Sequence, residues 1–332
     1  MKYLAFLLFL LPGCSDKPEG NLIQDVKEAA PALPNEVWLS HEHIFVDFIG
    51  ADSTQPETWN HDLIIEEMMP YLKELEAYDV KYFVDATPSY LGKDPILLEK
   101  IADKTGLKVI TNTGFYGAVK NKFIPSEMFS ASAEEMSRLW IDEFENGIGG
   151  TSVKPGFIKI SVDNRDPLDS IDQKLVEAAA LTHISTGLTI VSHTGAAKGL
   201  WPQLEILTKY GVSPEAFIWI HAQNEKDNEA YLKAAKMGCW ISLDGIGRDG
   251  QLEKHVDKLL FAKQNGILNK ILISHDSGWF DPQKEVQKVR PFTNIFTKLI
   301  PVLKAKGFTD SEINLLISTN PSKAFSISVK KV

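Results

Sequence analysis

From residue 37 onward the chain repeats one pattern eight times. A short run rich in Val, Ile, Phe or Trp ends in polar or small residues, and a longer segment with apolar residues at helical spacing follows. The β-rich runs fall at 37–44, 82–85, 108–113, 157–161, 188–193, 217–221, 239–243 and 271–274. Helical spacing covers 63–78, 95–105, 133–145, 168–186, 201–210, 228–237, 252–264 and 292–304, with a short final stretch at 310–318. Asp94 before Pro95 supplies an N-cap and a first-turn proline, while Gly106, Gly187, Gly211 and Gly266 each stand where a left-handed C-cap is wanted. Strands alternating with helices make parallel β/α units, and eight is the number that closes a barrel. The expected fold class is therefore α/β, a (β/α)8 TIM barrel over 36–328. The rival is an open doubly wound sheet, but no Gly-rich phosphate loop follows any strand; Gly149-Gly150 precedes a loop and a strand and reads as a turn.

The 332 residues suffice for one such domain. A net charge of −9 without a long basic run repels a phosphate backbone, so nucleic acid is not an expected partner.

The N-terminus reads differently. Lys2, an apolar run over 3–11 and Leu11-Pro12-Gly13-Cys14 form a secretory signal too short to span a bilayer. Its last four residues resemble a bacterial lipobox, whose Cys is diacylated and becomes the new N-terminus; the alternative is an ordinary cleaved signal with an incidental Cys. The expectation is a signal peptide over 1–13, a lipidated Cys14, a polar tether over 14–35 and an exported lipoprotein held to the membrane by lipid alone, on its periplasmic or cell-surface face. Cys239 is then the only thiol of the mature chain, which leaves no internal disulfide, and its apolar neighbours suit a buried, inert thiol.

Chemistry gathers on one face of the expected barrel. Of eight histidines, His61, His183 and His255 fall in helices or their caps, whereas His41, His43, His193, His221 and His275 fall at C-terminal ends of strands, where barrel enzymes place their active sites. Residues two apart on a strand point the same way, so His41 and His43 can grip one ion while Glu42 points away. Asp276 follows the eighth strand, as a ligand, a base or a helix cap. Each of these residues has a bland structural explanation alone. Together, four histidines and a carboxylate at the same ends of strands one, five, six and eight point to a metal site.

Lys159 sits inside Phe157-Ile158-Lys159-Ile160, an otherwise apolar strand. A buried ammonium is costly, so it needs a partner or must shed its charge. Pairing with Asp85 or Asp163 is one solution; carbamylation by CO2, which yields an anion able to bridge two metals, is the other.

These stretches resemble the phosphotriesterase family of the amidohydrolase superfamily, from about residue 37 to residue 325. The likeness rests on His41-Glu42-His43, Gly156-Phe157-Ile158-Lys159, Val191-Ser192-His193-Thr194, His221, Ser274-His275-Asp276 and Asn320-Pro321, with support from Gly114-Phe115-Tyr116 and Leu91-Gly92-Lys93-Asp94-Pro95. The resemblance implies two divalent metal ions, Zn²⁺ first and Mn²⁺ or Co²⁺ as further fits. His41, His43 and Asp276 would hold the more buried ion, His193 and His221 the more exposed one, with carbamylated Lys159 and a hydroxide between them. The hydroxide would attack an ester-like bond and Asp276 would move the proton. His275 would pack beneath the ligands.

The same comparison shows a departure. Lactonase members carry an Arg directly after an Asp at the end of strand seven, but Asp244 is followed by Gly245 and the nearest arginine is Arg248. Asp244, as a substrate contact or as support for His221, Tyr116 and Trp279 are the expected residues around the substrate, with Phe280 beside Trp279 in an aromatic wall. A small lactone or carboxylic ester stands ahead of a phosphotriester as substrate, and a homodimer is compatible. A ligand-binding lipoprotein on a retired barrel and an amidohydrolase acting on an amide are the alternatives.

Overall fold

Every apolar run expected to be a strand is one, and nearly every residue of the eight is buried on both faces, as strands between a barrel interior and a helical coat must be. The computed structural model describes residues 21–284 and 289–332. After a hairpin of β1 (Leu22–Gln24) and β2 (Ala29–Pro31) come β3 (Val37–Phe45), β4 (Val80–Asp85), β5 (Lys108–Ile110), β6 (Asn112–Thr113), β7 (Phe157–Ser161), β8 (Thr189–His193), β9 (Phe217–Ile220), β10 (Trp240–Leu243), β11 (Ile271–Ile273) and β12 (Gly278–Phe280). Parallel pairing runs β3-β4-β5 and β6-β7-β8-β9-β10-β11; β5 and β6 are halves of one strand interrupted at Thr111. Closure comes from the eighth strand. Ser40 Oγ donates to the Ile273 carbonyl at 3.0 Å, the Asp276 amide donates to the His41 carbonyl at 3.1 Å, and β12 then pairs in parallel with β3. The (β/α)8 barrel is thus complete.

Helices α1 (His61–Lys73), α2 (Pro95–Thr105), α3 (Ala133–Asn146), α4 (Ser170–Thr186), α5 (Ala197–Lys209), α6 (Asn228–Lys236) and α7 (Leu252–Gln264) coat the sheet. Their starts follow from capping: Asp94 Oδ1 accepts from the Leu97 amide, and Ser132 with Glu135 closes a capping box. The expected helix at 292–304 opens instead as a wide turn, Ile295–Leu299, before α8 (Ile300–Ala305).

Strand alternation sorts the core into two layers. Ile158 and Ile160 of β7 face the helices, whereas Phe157 lies in the barrel interior with Trp38, Tyr82 and Val191. Trp38 stacks on Tyr82 with ring centroids 3.8 Å apart, and Phe325 closes the floor 5.5 Å from Phe157. Lys159, two residues past Phe157, therefore points up the same interior toward the mouth. In β3 the alternation is reset. Its register against β4 slips between Leu39 and Glu42, so that Trp38 faces the interior at one parity and His41 and His43 face it at the other.

One expectation needs correcting. The described part of the expected tether is not a free linker. Residues 22–31 form the β1–β2 hairpin, with Ile23 and Val26 buried. The Val26 amide donates to the Val109 carbonyl at 2.8 Å, and the Ile327 amide to the Leu22 carbonyl at 2.9 Å. Two apolar residues in a Pro- and Gly-punctuated stretch are too few for a periodic signal, yet enough to seal the bottom of a barrel. The expected signal peptide and Cys14 lie outside the described residues. Among the described residues no helix is long and apolar enough to cross a membrane.

Candidate metal centre

Strand ends bring the expected side chains to one mouth. His41 and His43 rise from β3, Lys159 from β7 and His193 from the last position of β8. His221 and Asp276 follow β9 and β11 in left-handed backbone, at φ 62° and 50°, a conformation uncommon outside glycine but more open to His and Asp than to most residues, and both line the cavity. Asp276 Oδ1 lies 3.2 Å from His43 Nε2 and 3.9 Å from His41 Nε2. One ligand atom from each of His41, His43 and Asp276 lies within 4.8 Å of the others. The rings of His193 and His221 are 4.4 Å apart, and His221 is 5.4 Å from His41.

A second set of residues fixes these rings. Thr87 Oγ1 donates to the Phe45 carbonyl, so it accepts from His43 Nδ1 at 2.8 Å and leaves Nε2 of that ring unprotonated toward Asp276. Tyr116 Oη is bonded to His193 Nδ1 at 3.1 Å. Asp244 accepts from the His221 amide at 2.7 Å and from Ser242 Oγ at 2.7 Å, and its carboxylate lies 3.2 Å from His41 Nδ1. Asp244 is fully buried in the cavity floor, so its contacts are with these ligand-bearing residues rather than with open space. Thr87 escaped the sequence reading because a threonine two residues past a strand carries no signal of its own.

Above the floor is a cavity of about 530 Å3. Trp279 forms one wall, edge-on to His43 at 5.2 Å and anchored by its Nε1 on the Asp276 carbonyl at 3.1 Å. Phe280 does not share that wall: it is buried against Phe45 in the outer core. Phe48 lines the opening instead, 5.5 Å from Trp279. Arg248 reaches in from the loop after β10 and its Nη2 donates to Asp276 Oδ2. The loop after β6 passes so close to β7 that a Cβ on Gly114, at φ 118°, would collide with the Lys159 carbonyl.

The phosphotriesterase family model matches residues 32–325. The chain belongs to the phosphotriesterase family. Within that family it is 32% identical over 301 residues to the aryldialkylphosphatase of Saccharolobus solfataricus, covering 87% of this chain and 94% of the relative. It is 26% identical over 295 residues to the phosphotriesterase homology protein of Escherichia coli, covering 88% and 98%. A mutant of the organophosphorus hydrolase from Deinococcus radiodurans superposes with a TM-score of 0.82 at 25% identity, over 94% of this chain and all of that one (100%). With the His41, His43 and Asp276 cluster, this membership makes the chain a metal-dependent hydrolase.

The donor set of this phosphotriesterase-family site fits a cation. Lys159 Nζ is a buried atom without a hydrogen-bond partner. Neither carboxylate weighed as a partner for Lys159 reaches it: Asp85 accepts from the Ile44 and Thr87 amides, and Asp163 pairs with Arg165. Burial, with Asp244 and Asp276 opposing it, brings the Lys159 ammonium down to about 8. Burial and then Lys159 pull His41 down to about 4, and burial with His221 holds His193 well below its usual range. Burial works against ionised Asp276, but the imidazoles of His43, His41 and His221 around it hold the carboxyl below the ordinary range. Neutral His41 and His193 beside an ionised Asp276 are protonation states that a divalent ion requires.

Proposed function

We propose that this chain hydrolyses an ester-like bond, a lactone or carboxylic ester ahead of a phosphotriester, at two divalent cations with Zn²⁺ as the first candidate. The observation that carries the reading is the convergence of His41, His43, His193, His221, Asp276 and an unpartnered, buried Lys159 on one cavity. His41, His43 and Asp276 would hold one ion and His193 with His221 the other. When bound, the ions supply Lewis acidity toward a substrate oxygen and lower the pKa of water.

The chain's own groups do the rest. An amine brought down to about 8 is deprotonated often enough to react: the neutral Lys159 Nζ forms a bond to the carbon of CO2, one C=O π pair moves to oxygen, and the nitrogen gives one proton to water, leaving a carbamate anion. Asp276, ionised and beside His43, is placed to accept a proton at Oδ2 once Arg248 moves aside. Tyr116 holds His193, and Trp279 and Phe48 present an apolar wall to the part of the substrate that does not react. The motif around Cys14 supports export as a lipid-anchored protein, facing a small-molecule substrate outside the cytoplasm.

The test uses purified chain loaded with Zn²⁺ in bicarbonate. It should turn over at least one member of a panel of lactones, aryl carboxylic esters and a diethyl aryl phosphate, and contain more than about one ion per chain. Asp276→Asn and Lys159→Ala should each lose that activity. A fully active Asp276→Asn, or a chain that retains no metal, would overturn the reading.

A further inference from the structure

The guanidinium of Arg248 is the one arginine group among the described residues that lines the cavity. Its side chain is 42% exposed, and its partner is Asp276 Oδ2. That carboxylate is already claimed: its Oδ1 faces His43 and His41, where the proposed ion binds. Once a dication takes the Asp276 charge, Arg248 loses most of what holds it, yet an arginine cannot shed its own charge. A planar fork of donors in a partly closed cavity then seeks a planar anion. Behind it stands a second guanidinium. Arg290 lies over the Trp279 ring at 4.9 Å, and its charge is coupled to both Arg248 and Asp276. Within a chain of net charge −9, Arg248 on the cavity wall and Arg290 on the Trp279 ring set two cations on this side of Asp276.

We infer that Arg248, reinforced by Arg290, recognises an anionic substituent on the substrate, so that the preferred substrates carry a carboxylate or sulfonate on the part of the molecule that does not react. This deepens the hydrolase reading and rests on it for the position of the reacting end. Asp249, next in the chain, also lines the cavity and is the competing partner for the freed guanidinium.

The experiment compares two esters of equal length on the Zn²⁺-loaded full chain, the mono-4-nitrophenyl ester of glutaric acid and 4-nitrophenyl pentanoate. Arg248→Gln should lower kcat/KM for the anionic ester at least about tenfold more than for the neutral one, chiefly through KM, with Arg248→Lys recovering part of the difference. In parallel, calorimetry should show butanoate binding to the loaded chain and weakened about tenfold or more in Arg248→Gln. An equal loss on both esters would mean that Arg248 only positions Asp276, and butanoate binding unchanged in Arg248→Gln would mean that the anion goes to the metals or that Asp249 holds the arginine. Either result overturns the inference. If neither ester is turned over, the ester reading fails on its own, and butanoate binding still decides the role of Arg248.

Discussion

Glu42 Oε1 accepts from His275 Nδ1 at 2.7 Å, and both residues are fully buried. The same carboxylate accepts from Ser274 Oγ at 3.0 Å and from the amides of His275 and Ser277 at 3.1 and 3.0 Å, while His275 Nε2 accepts from the Ile295 amide at 2.9 Å. The outward-facing member of His41-Glu42-His43 thus ties down the loop that carries Asp276. Glu42→Ala strands these donors in the interior and should cost about 3–5 kcal/mol of stability in chemical denaturation. Glu42→Gln, which keeps an acceptor, should cost less. Equal stabilities for Glu42→Ala and the parent would show that the network carries no energy.

Thr87 sets which nitrogen of His43 is free. Thr87→Val keeps the shape and removes the acceptor at 2.8 Å from Nδ1, so the ring loses its fixed tautomer. Metal affinity, measured by competition with a chelator, should fall about 10- to 100-fold with the fold intact by circular dichroism. Unchanged affinity would separate Thr87 from the site.

Asp172 on α4 is buried, and burial followed by the negative charge of Asp169 pushes its carboxyl up to about 7. A raised folded-state value means that the native chain binds more protons than the unfolded chain between the ordinary carboxylate range and about pH 7. Stability contributed at low pH is therefore lost as pH rises through that window. Asp172→Asn should escape the loss, so its advantage over the parent should grow from pH 4 to 7 and then level off in urea titrations. A pH-independent difference would contradict this account.

Cys14 and Cys239 should behave as opposites. Cys14→Ser should release the protein from the membrane fraction of an expressing bacterium, and continued retention would argue against the lipobox. Cys239 is buried, and burial pushes its thiol up to about 12. It should resist thiol reagents at neutral pH until denaturant is added, and rapid native labelling would show that β10 opens.

Much of the molecule was legible before any coordinate. The eight strands sit where apolar runs were counted, because a strand buried on both faces must be a continuous apolar run, and Phe157–Ser161 coincides with its expected bounds. His193 and Asp276 were legible for a related reason: polar residues just past such runs have one face of the barrel to occupy. The helix bounds were less so, since the start of α5 at Ala197 depends on Glu225 accepting from the Ala197 amide, a contact from another unit.

What the chain alone determined is therefore the barrel, its polarity and the candidate ligands, through local periodicity and the cost of burying charge. Tertiary structure decided the rest. It slipped β3 between Leu39 and Glu42, so that Trp38, His41 and His43 all face inward, and it turned the described part of the expected tether into the hairpin under the floor. It also left Lys159 without Asp85 or Asp163 and laid Arg248 on Asp276. What holds most of these outcomes is contact between residues far apart in sequence, as with Val26 on Val109 and Arg248 on Asp276. No periodicity encodes such a contact, because it depends on where closure of the barrel places the other strand.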